Sequence, residues 1–414
     1  MSDADFEIAV IGGGAAGLAT AIFTRRLNPA RSVAVLDGAK KLGAKILVSG
    51  GGRCNVTNSV VTEHDFWGGK PTIVRNILRA FAVPETVAFF EEIGISLHEE
   101  HDGKLFPESN RARDVLDVLI REAGRLGVAV LTDHRVHGVF FENSRFALVN
   151  SHGSLSAKRL VLAAGGRSLP KSGSDGTGYD IAQVLGHTIV PTTPALAPLT
   201  LDAGELHRQL SGVSHDAELT VWIDARRAVR LRGSLLWTHF GVSGPLVLNA
   251  SRHWCRATLE NRNVRVTLNF LPPSTFDAID RRLTDLAASR PRAAIPTLLA
   301  AFLPAAVANA LVNAVGIDES VAASQLTRAD RRRLVHALVE WTLPISGTRG
   351  YNYAEATAGG VELTEIDPST MASRVCPGLY LVGEVLDVDG RIGGFNFQWA
   401  WSSAHVAAQA LAEA

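Results

Sequence analysis

Phe6-Glu7-Ile8-Ala9-Val10-Ile11-Gly12-Gly13-Gly14-Ala15-Ala16-Gly17 is the stretch that decides the fold. Phe6 to Ile11 is a short, mostly apolar run of the kind that forms a buried parallel strand. Leu18 to Leu27 continues past the glycines with helix-compatible residues, and Ser32 to Leu36 reads as a second strand closed by Asp37. Strand, glycine turn, helix and strand ending in an acid is the context that makes G-x-G-x-x-G specific. Gly12 permits the tight turn, Gly14 lets the backbone approach a pyrophosphate, and Gly17 lets helix and strand pack closely. Ala15 and Ala16 lie at the helix start, whose free N–H groups and positive dipole end face the phosphates. Asp37, 20 residues past Gly17, is placed to accept hydrogen bonds from a ribose. The motif implies an adenine dinucleotide and leaves FAD and NAD(P) both open.

Length and composition narrow the class. A chain of 414 residues implies two or three domains with ample core. Lys+Arg and Asp+Glu are equal at 41 each, so no net charge points to nucleic acid or to an acidic membrane. The run Arg331-Arg332-Arg333 reads as a solvated helix face. Cys54, Cys255 and Cys376 form no C-x-x-C pair, which argues against a disulfide framework and against a dithiol reductase. Met1 to Asp5 lacks the basic start of a secretory signal, and no eighteen consecutive apolar residues occur. A cytoplasmic enzyme is the expectation.

After Asp37 comes Lys40 to Lys45, then Ile46-Leu47-Val48-Ser49-Gly50-Gly51-Gly52-Arg53-Cys54-Asn55-Val56-Thr57-Asn58. Three glycines flanked by Ser, Arg, Asn and Thr make a dense donor surface that can wrap an anionic ligand, with Arg53 adding a phosphate fork. Ser49 to Asn58 closely resembles the signature of the BaiN/RdsA family of NAD(P)/FAD-dependent oxidoreductases, relatives of the wider glutathione-reductase-like flavoproteins. Further matches run in order from Ile8 to Gln398.

The resemblance implies an α/β fold: a glutathione-reductase-like Rossmann FAD-binding domain interrupted by an insertion with a small β-barrel-like part and a helical part. The expected division is 1–192 for the first part of the FAD domain, 193–272 for the β-rich insert, 273–345 for the helical insert and 346–414 for the return. Pro191, Pro194 and Pro198 mark the boundary, and short alternating runs such as Ala217 to Ile223 and Val264 to Phe270 suggest a small barrel or sandwich. From Ser274 to Leu343 the pattern is helical, with Ser274/Asp277 and Thr327/Asp330 resembling capping boxes.

By the same resemblance FAD occupies the first motif, with Lys45, Ser49, Gly50, Gly51, Arg53, Cys54, Asn55, Thr57 and Asn58 alongside its pyrophosphate and flavin. A backbone group near Val136 meets the adenine, and Ala164 and Gly165 end a strand that returns to the cofactor. Gly383 and Glu384, then Asp387, Gly394, Asn396 and Gln398, carry over from the second flavin signature, where the acid holds the ribityl chain and a helix start faces the flavin. At Ser402-Ser403-Ala404-His405 the chain departs from the wider class, which usually carries a glycine there.

Several other features carry less chemistry. His98, Glu99 and His101 lie in a polar turn between two short strands, with no further cluster at metal-ligand spacing. His187 follows a helix-terminal glycine and reads as a partner of the helix dipole. No second glycine fingerprint marks a nicotinamide domain, so NAD(P)H is expected only as a transient reductant. A proton donor must complement the flavin, and His239, Tyr353 and Cys54 are the candidates. The expected activity is hydride addition to an activated C=C or C=O of a small molecule, with no nucleic-acid or membrane partner. The alternatives are a flavin oxidase or dehydrogenase using oxygen or quinone, and a non-enzymatic flavin-binding redox sensor.

Overall fold

The computed structural model describes residues 4–202 and 205–414. Residues 1–3, part of the start read above for a signal, lie outside the described residues. The chain divides into two compact units, one comprising the chain up to Thr193 together with Ala354–Ala414, the other Pro194–Tyr353.

The first unit is built on strands β1 (Ala4–Ile11), β2 (Val33–Leu36), β3 (Ala129–Leu131), β4 (Val136–Glu142), β5 (Arg145–Asn150) and β6 (Gly153–Leu162), with helices α1 (Ala15–Leu27) and α2 (Ala112–Arg125) among its connections. The sheet order is β3-β2-β1-β6-β5-β4, and the late strand Leu379–Leu381 pairs with β6. Val10 lies opposite Val35 on one side and Val161 on the other, both in parallel register. Covered on both faces, Val33 to Leu36 are all buried, which is why this strand reads as an unbroken apolar run.

β6 is one ten-residue strand where the sequence suggests two, a ribbon strand ending near Lys158 and a buried strand from Arg159. Its first half pairs antiparallel with β5, and its second half pairs parallel with Leu379–Leu381. Alternation up to Arg159 and unbroken burial from Leu160 to Leu162 give one strand two different sequence patterns.

The C-terminal helix, Phe395–Glu413, buries Trp399 and Trp401 completely. Each indole finds a carbonyl: Trp399 Nε1 donates to Gly383 O at 3.1 Å and Trp401 Nε1 to Val56 O at 2.9 Å. The serines standing where a glycine is usual also have work. Gly383 N donates to Ser403 Oγ at 3.0 Å, and Ser402 Oγ donates to Phe81 O at 2.7 Å.

In the second unit, β7 (Ser214–Ile223) is flanked by β8 (Arg226–Thr238) and β9 (Val264–Asn269) in a seven-stranded antiparallel sheet. The β7–β8 turn places Asp224 at φ 49° and Ala225 at φ 63°, the paired left-handed residues of a type I′ hairpin. Leu219 and Val221 of β7 and Val266 and Leu268 of β9 face a core that also holds Leu246 and Val247 of helix α3 (Pro245–Leu259) and Leu334 and Leu338 of a later helix. Strands and helices of this unit therefore share one core. α3 lies inside the stretch read as β-runs. Pro245 at its first turn is the start signal, masked by the apolar residues on either side. The expected cap at Ser274 is corrected by one residue, because Thr275 Oγ1 accepts from Ala278 N. Thr327 caps Arg328–Val339 as expected, accepting from Asp330 N at 3.1 Å.

The neutral total hides a segregation. The second unit carries 18 arginines, no lysine and 13 acidic residues, a net +5; the first carries 23 basic and 28 acidic residues, a net −5. Among the described residues no helix is long and apolar enough to cross a membrane.

Candidate functional site

The glycine turn meets its three physical demands at separate positions. Gly12 sits at φ +107°, and a Cβ there would lie 2.4 Å from Ala163 O. A Cβ on Gly17 would lie 1.9 Å from Gly12 O, so helix and strand can cross only at hydrogen. Around Gly14, by contrast, a Cβ would meet nothing within 4 Å. Its constraint does not come from the protein. Gly14 caps α1 without any side-chain hydrogen bond, so Ala15, Ala16 and Gly17 open the helix with no side chain satisfying their N–H groups. Asp37 braces the turn: its Oδ2 accepts from Gly13 N at 2.7 Å and its Oδ1 from Ala39 N at 2.8 Å.

The end of the chain returns to this turn. Gly383, at φ +73°, passes so near the first turn of α1 that a Cβ would stand 2.8 Å from that of Ala16. Next to it, the Glu384 carboxylate is ion-paired with Lys45 and accepts from Ser168 Oγ at 2.9 Å and Thr357 N at 3.0 Å. Lys45 Nζ also donates to Ser168 Oγ at 2.8 Å and Ser174 Oγ at 3.3 Å. Gly165 and Gly166, just beyond β6, leave room for this network: a Cβ at Gly166 would come within 2.9 Å of Glu384 Oε1. Ser168, Ser174 and Thr357 were not picked out by sequence reasoning. Their signal is weak, a hydroxyl within a few residues of a glycine pair. Ala164 packs beside Gly178, where a Cβ would stand 2.9 Å from its own. Val136 is buried at the start of β4, and Asp387 is tied through its backbone to Gly69 and Val361.

Ser49 to Asn58 forms a loop of left-handed residues: Gly50, Gly51, Gly52 and Cys54 have φ of 56°, 69°, 86° and 63°. Such a run gathers successive N–H groups into an anion-binding concavity. A Cβ on Gly51 would meet nothing within 4 Å, as at Gly14. Asn55 is buried, and its Oδ1 has no hydrogen-bond partner in the protein. Ser49 Oγ is turned back to Ile46 O at 2.7 Å.

Other members of the predicted set are occupied within the protein. Arg53 Nη1 donates to Glu100 Oε1 at 2.6 Å, and its guanidinium lies 4.1 Å from the Phe106 ring centre. Glu100 thus pairs one end of the guanidinium. Asn58 Nδ2 donates to Asp102 O and Gly393 O. Gln398 Oε1 accepts from Thr57 Oγ1 and Thr86 Oγ1, while its Nε2 donates to Phe81 O and Ser402 Oγ. All four of its hydrogen bonds are made, so Gln398 holds the C-terminal helix to its neighbours. Asn396 closes the Gly390 turn by exchanging two hydrogen bonds with its backbone. Gly394, φ +93°, presses against Thr57, where a Cβ would lie 2.4 Å from the backbone.

The three proton-donor candidates fall in different settings. Cys54 is fully buried, and burial pushes its thiol up to about 12, so the thiol keeps its proton near neutral pH. His239 is exposed on the turn after β8, its ring edge-on to Phe240 at 5.1 Å. Tyr353 is exposed, and the Arg349 guanidinium lies 3.8 Å from its ring centre and 4.5 Å from that of Phe240. One cation therefore gathers the His239 turn and Tyr353 within the second unit. His187, read as a helix-dipole partner, instead makes side-chain bonds. Its Nδ1 meets Glu365 Oε2 and its Nε2 meets Ser373 Oγ, both at 2.8 Å. This resembles a hydrolytic triad, but Ser373 Oγ also accepts from Val375 N and Cys376 N. Its lone pairs are spent on a turn, and the trio fastens Thr177–Val184 to the 365–376 segment.

A dinucleotide-type turn, a donor-rich loop and an acid returned from the chain end define a Rossmann oxidoreductase of the glutathione-reductase-like kind. Residues 6–410 match the family described as the HI0933-like protein Rossmann domain, and the chain belongs to that family, the one its BaiN/RdsA-like sequence indicates. It is 33% identical over 407 residues to the 3-dehydro-bile acid delta(4,6)-reductase of Clostridium scindens, covering 98% of this chain and 99% of that protein. It is 34% identical over 408 residues to the ribosomal RNA dihydrouridine synthase of Escherichia coli, covering 98% of each. Among solved structures, a quinol-fumarate reductase shares the fold at a TM-score of 0.54 and 14% identity, covering 100% of this chain and 72% of that one.

Proposed function

We propose that this enzyme is a FAD-dependent oxidoreductase that reduces an activated C=C or C=O bond of an apolar small molecule, with NAD(P)H as a transient reductant. The observation that carries the reading is the unobstructed backbone at Gly14, whose φ of −84° does not itself require glycine, together with the orphaned Asn55 Oδ1. Glycine where no protein atom demands it, beside unsatisfied polar groups, fits a ligand that approaches the main chain. Bound FAD supplies the hydride chemistry, through flavin N5.

The chain's own residues then have separate tasks. The α1 N-terminus and the Gly50–Gly52 loop receive the pyrophosphate charge, and Asp37 accepts from the ribose. Glu384 accepts from the ribityl hydroxyls while Lys45 keeps that carboxylate balanced in a partly buried setting. His239 and Tyr353 serve as alternative donors of the proton that completes reduction. Cys54 is the one of the three candidates that is fully buried.

The names of the two relatives support the acceptor class. A 3-dehydro-bile acid delta(4,6)-reductase and a dihydrouridine synthase both act on a C=C conjugated to a carbonyl. The purified protein should be yellow, or become so with FAD, and stopped-flow mixing with NADH or NADPH should bleach the flavin band. Protein that stays colourless with added FAD rejects the cofactor. Absence of bleaching with either nucleotide rejects the reductant. A His239→Ala, Tyr353→Phe double variant that bleaches and turns substrate over normally removes both proton donors.

A further inference from the structure

Phe240 and Arg349 lie far apart in the chain, and one short strand brings them together. Leu199–Leu201 pairs with Gly241–Ser243 on one edge and with Ile345–Thr348 on the other, so Leu199 stands opposite both Val242 and Thr348. Leu201 N donates to Phe240 O at 3.1 Å, and Arg349 N donates to Pro198 O at 3.1 Å. A turn then fixes Tyr353 relative to Arg349: Gly350 N donates to Thr348 Oγ1 at 3.0 Å and Tyr353 N to Gly350 O at 3.1 Å.

The product is a half-buried guanidinium over two rings, 3.8 Å from the centre of Tyr353 and 4.5 Å from that of Phe240. Ring contacts use the flat faces of a guanidinium, whereas its five N–H donors lie in the plane and point outward from its edge. Among the described residues no carboxylate pairs with the Arg349 side chain and no acceptor takes its hydrogen bonds. Arg265 and Arg391, each also over a ring, give theirs to Glu340 at 3.0 Å and Asp65 at 2.8 Å. A fork steadied by aromatic contact, with its donors unused, suits an oxygen carried by a ligand. The His239 ring stands edge-on to Phe240 at 5.1 Å, and Tyr353 carries its hydroxyl on the other ring. The cation therefore sits among the two groups assigned the proton.

We infer that Arg349 binds the carbonyl oxygen of the acceptor and stabilises the negative charge that gathers there as hydride arrives. The assignment rests on the proposed reduction of an activated C=C or C=O bond and supplies the recognition that reading lacks. Hydride brings two electrons to the far carbon of a conjugated C=C, and the displaced π pair moves onto the carbonyl oxygen as an enolate. With a C=O acceptor the same oxygen becomes an alkoxide. Arg349 keeps its protons throughout, because a guanidinium does not ionise in this range, and its hydrogen bonds strengthen as the charge grows. His239 or Tyr353 then gives a proton to the carbon beside the carbonyl, or to the alkoxide oxygen, which completes the two-electron reduction.

A planar phenolate carries an anionic oxygen on a conjugated frame, so 4-nitrophenolate and its neutral methyl ether, 4-nitroanisole, are the probes. The full-length protein, saturated with FAD, is titrated calorimetrically at a pH where the phenol is ionised. The phenolate should bind at least about tenfold more tightly than the ether. Arg349→Met should erase that preference and leave ether binding as in the parent, and Arg349→Lys should restore only part of it, since an ammonium lacks the planar fork. Arg281→Met, an exposed position elsewhere in the same unit, should keep the full preference. A parent that does not prefer the phenolate overturns the inference. So does a preference that survives in Arg349→Met, or an equal loss of both probes there, which marks a staple between two rings and not an oxygen site. The flavin reading fails separately, through protein that stays colourless with FAD.

Discussion

Gly14 and Gly17 are the same residue type three positions apart, yet they are glycine for different reasons. Gly17→Ala drives a methyl into Gly12 O and should cost about 2 kcal/mol or more of stability, seen as a lowered Tm with or without FAD. Gly14→Ala adds a methyl to open space at φ −84°, so the apoprotein should melt within about a degree of the parent, a shift worth well under 1 kcal/mol. Its FAD affinity, measured by flavin fluorescence, should fall at least about tenfold, the equivalent of about 1.4 kcal/mol. A normal FAD affinity in Gly14→Ala would refute the role given to that backbone. The cysteines form a second residue-scale case. Burial pushes the thiols of Cys54 and Cys255 up to about 12 and raises that of Cys376. Iodoacetamide at pH 8 should leave all three unmodified in the native protein and label all three in urea, as read by intact mass.

At the scale of elements, two side chains join parts that the sequence places far apart. Gln398 ties the C-terminal helix to Thr57, Thr86 and Phe81. Gln398→Leu keeps the volume but leaves the buried Thr57 hydroxyl without its acceptor, while Thr86 keeps Ala82 O, so it should cost about 1–3 kcal/mol in urea unfolding. Glu122 on α2 meets Arg26 of α1 at 2.6 Å. Arg125 beside it, with Arg26, holds its carboxyl down to about 2, against the opposing pull of burial. A depressed carboxylate contributes stability above its unfolded value, near 4.5, and loses it as pH falls toward 2. The Tm of the parent should therefore drop across that window, and Glu122→Gln should flatten the drop.

At the scale of the whole molecule, the two units own separate cores, one through β1, β6 and the C-terminal helix, the other through β7, β9 and α3. Unfolding in urea should accordingly show two transitions rather than one. FAD should move only the transition of the unit holding Gly14 and Glu384, by about 2.7 kcal/mol at a hundredfold excess over Kd. Movement of both transitions together would mean the units unfold as one. Charge is also a property of this scale: an even balance of 41 and 41 in the chain resolves into units of opposite sign.

Local features were legible along the chain. Phe6 to Asp37 is contiguous, so strand, turn, helix and closing acid could be read from spacing and residue type, and the family match followed from short ordered motifs. The same reading proposed which loop lies beside the cofactor, because glycine density is a local signal. Features that join partners distant in the chain emerged only on folding. Lys45, Ser168, Thr357 and Glu384 become one network across 339 residues of sequence separation. Arg53 and Gln398, whose types suggest ligand contacts, are occupied by Glu100, Thr57 and Thr86. A side chain's donors and acceptors are spent on whatever the fold brings near, and composition along the chain carries no record of that. Gly14 was recognisable from its motif, but that its backbone lies open is a fact of the folded chain alone.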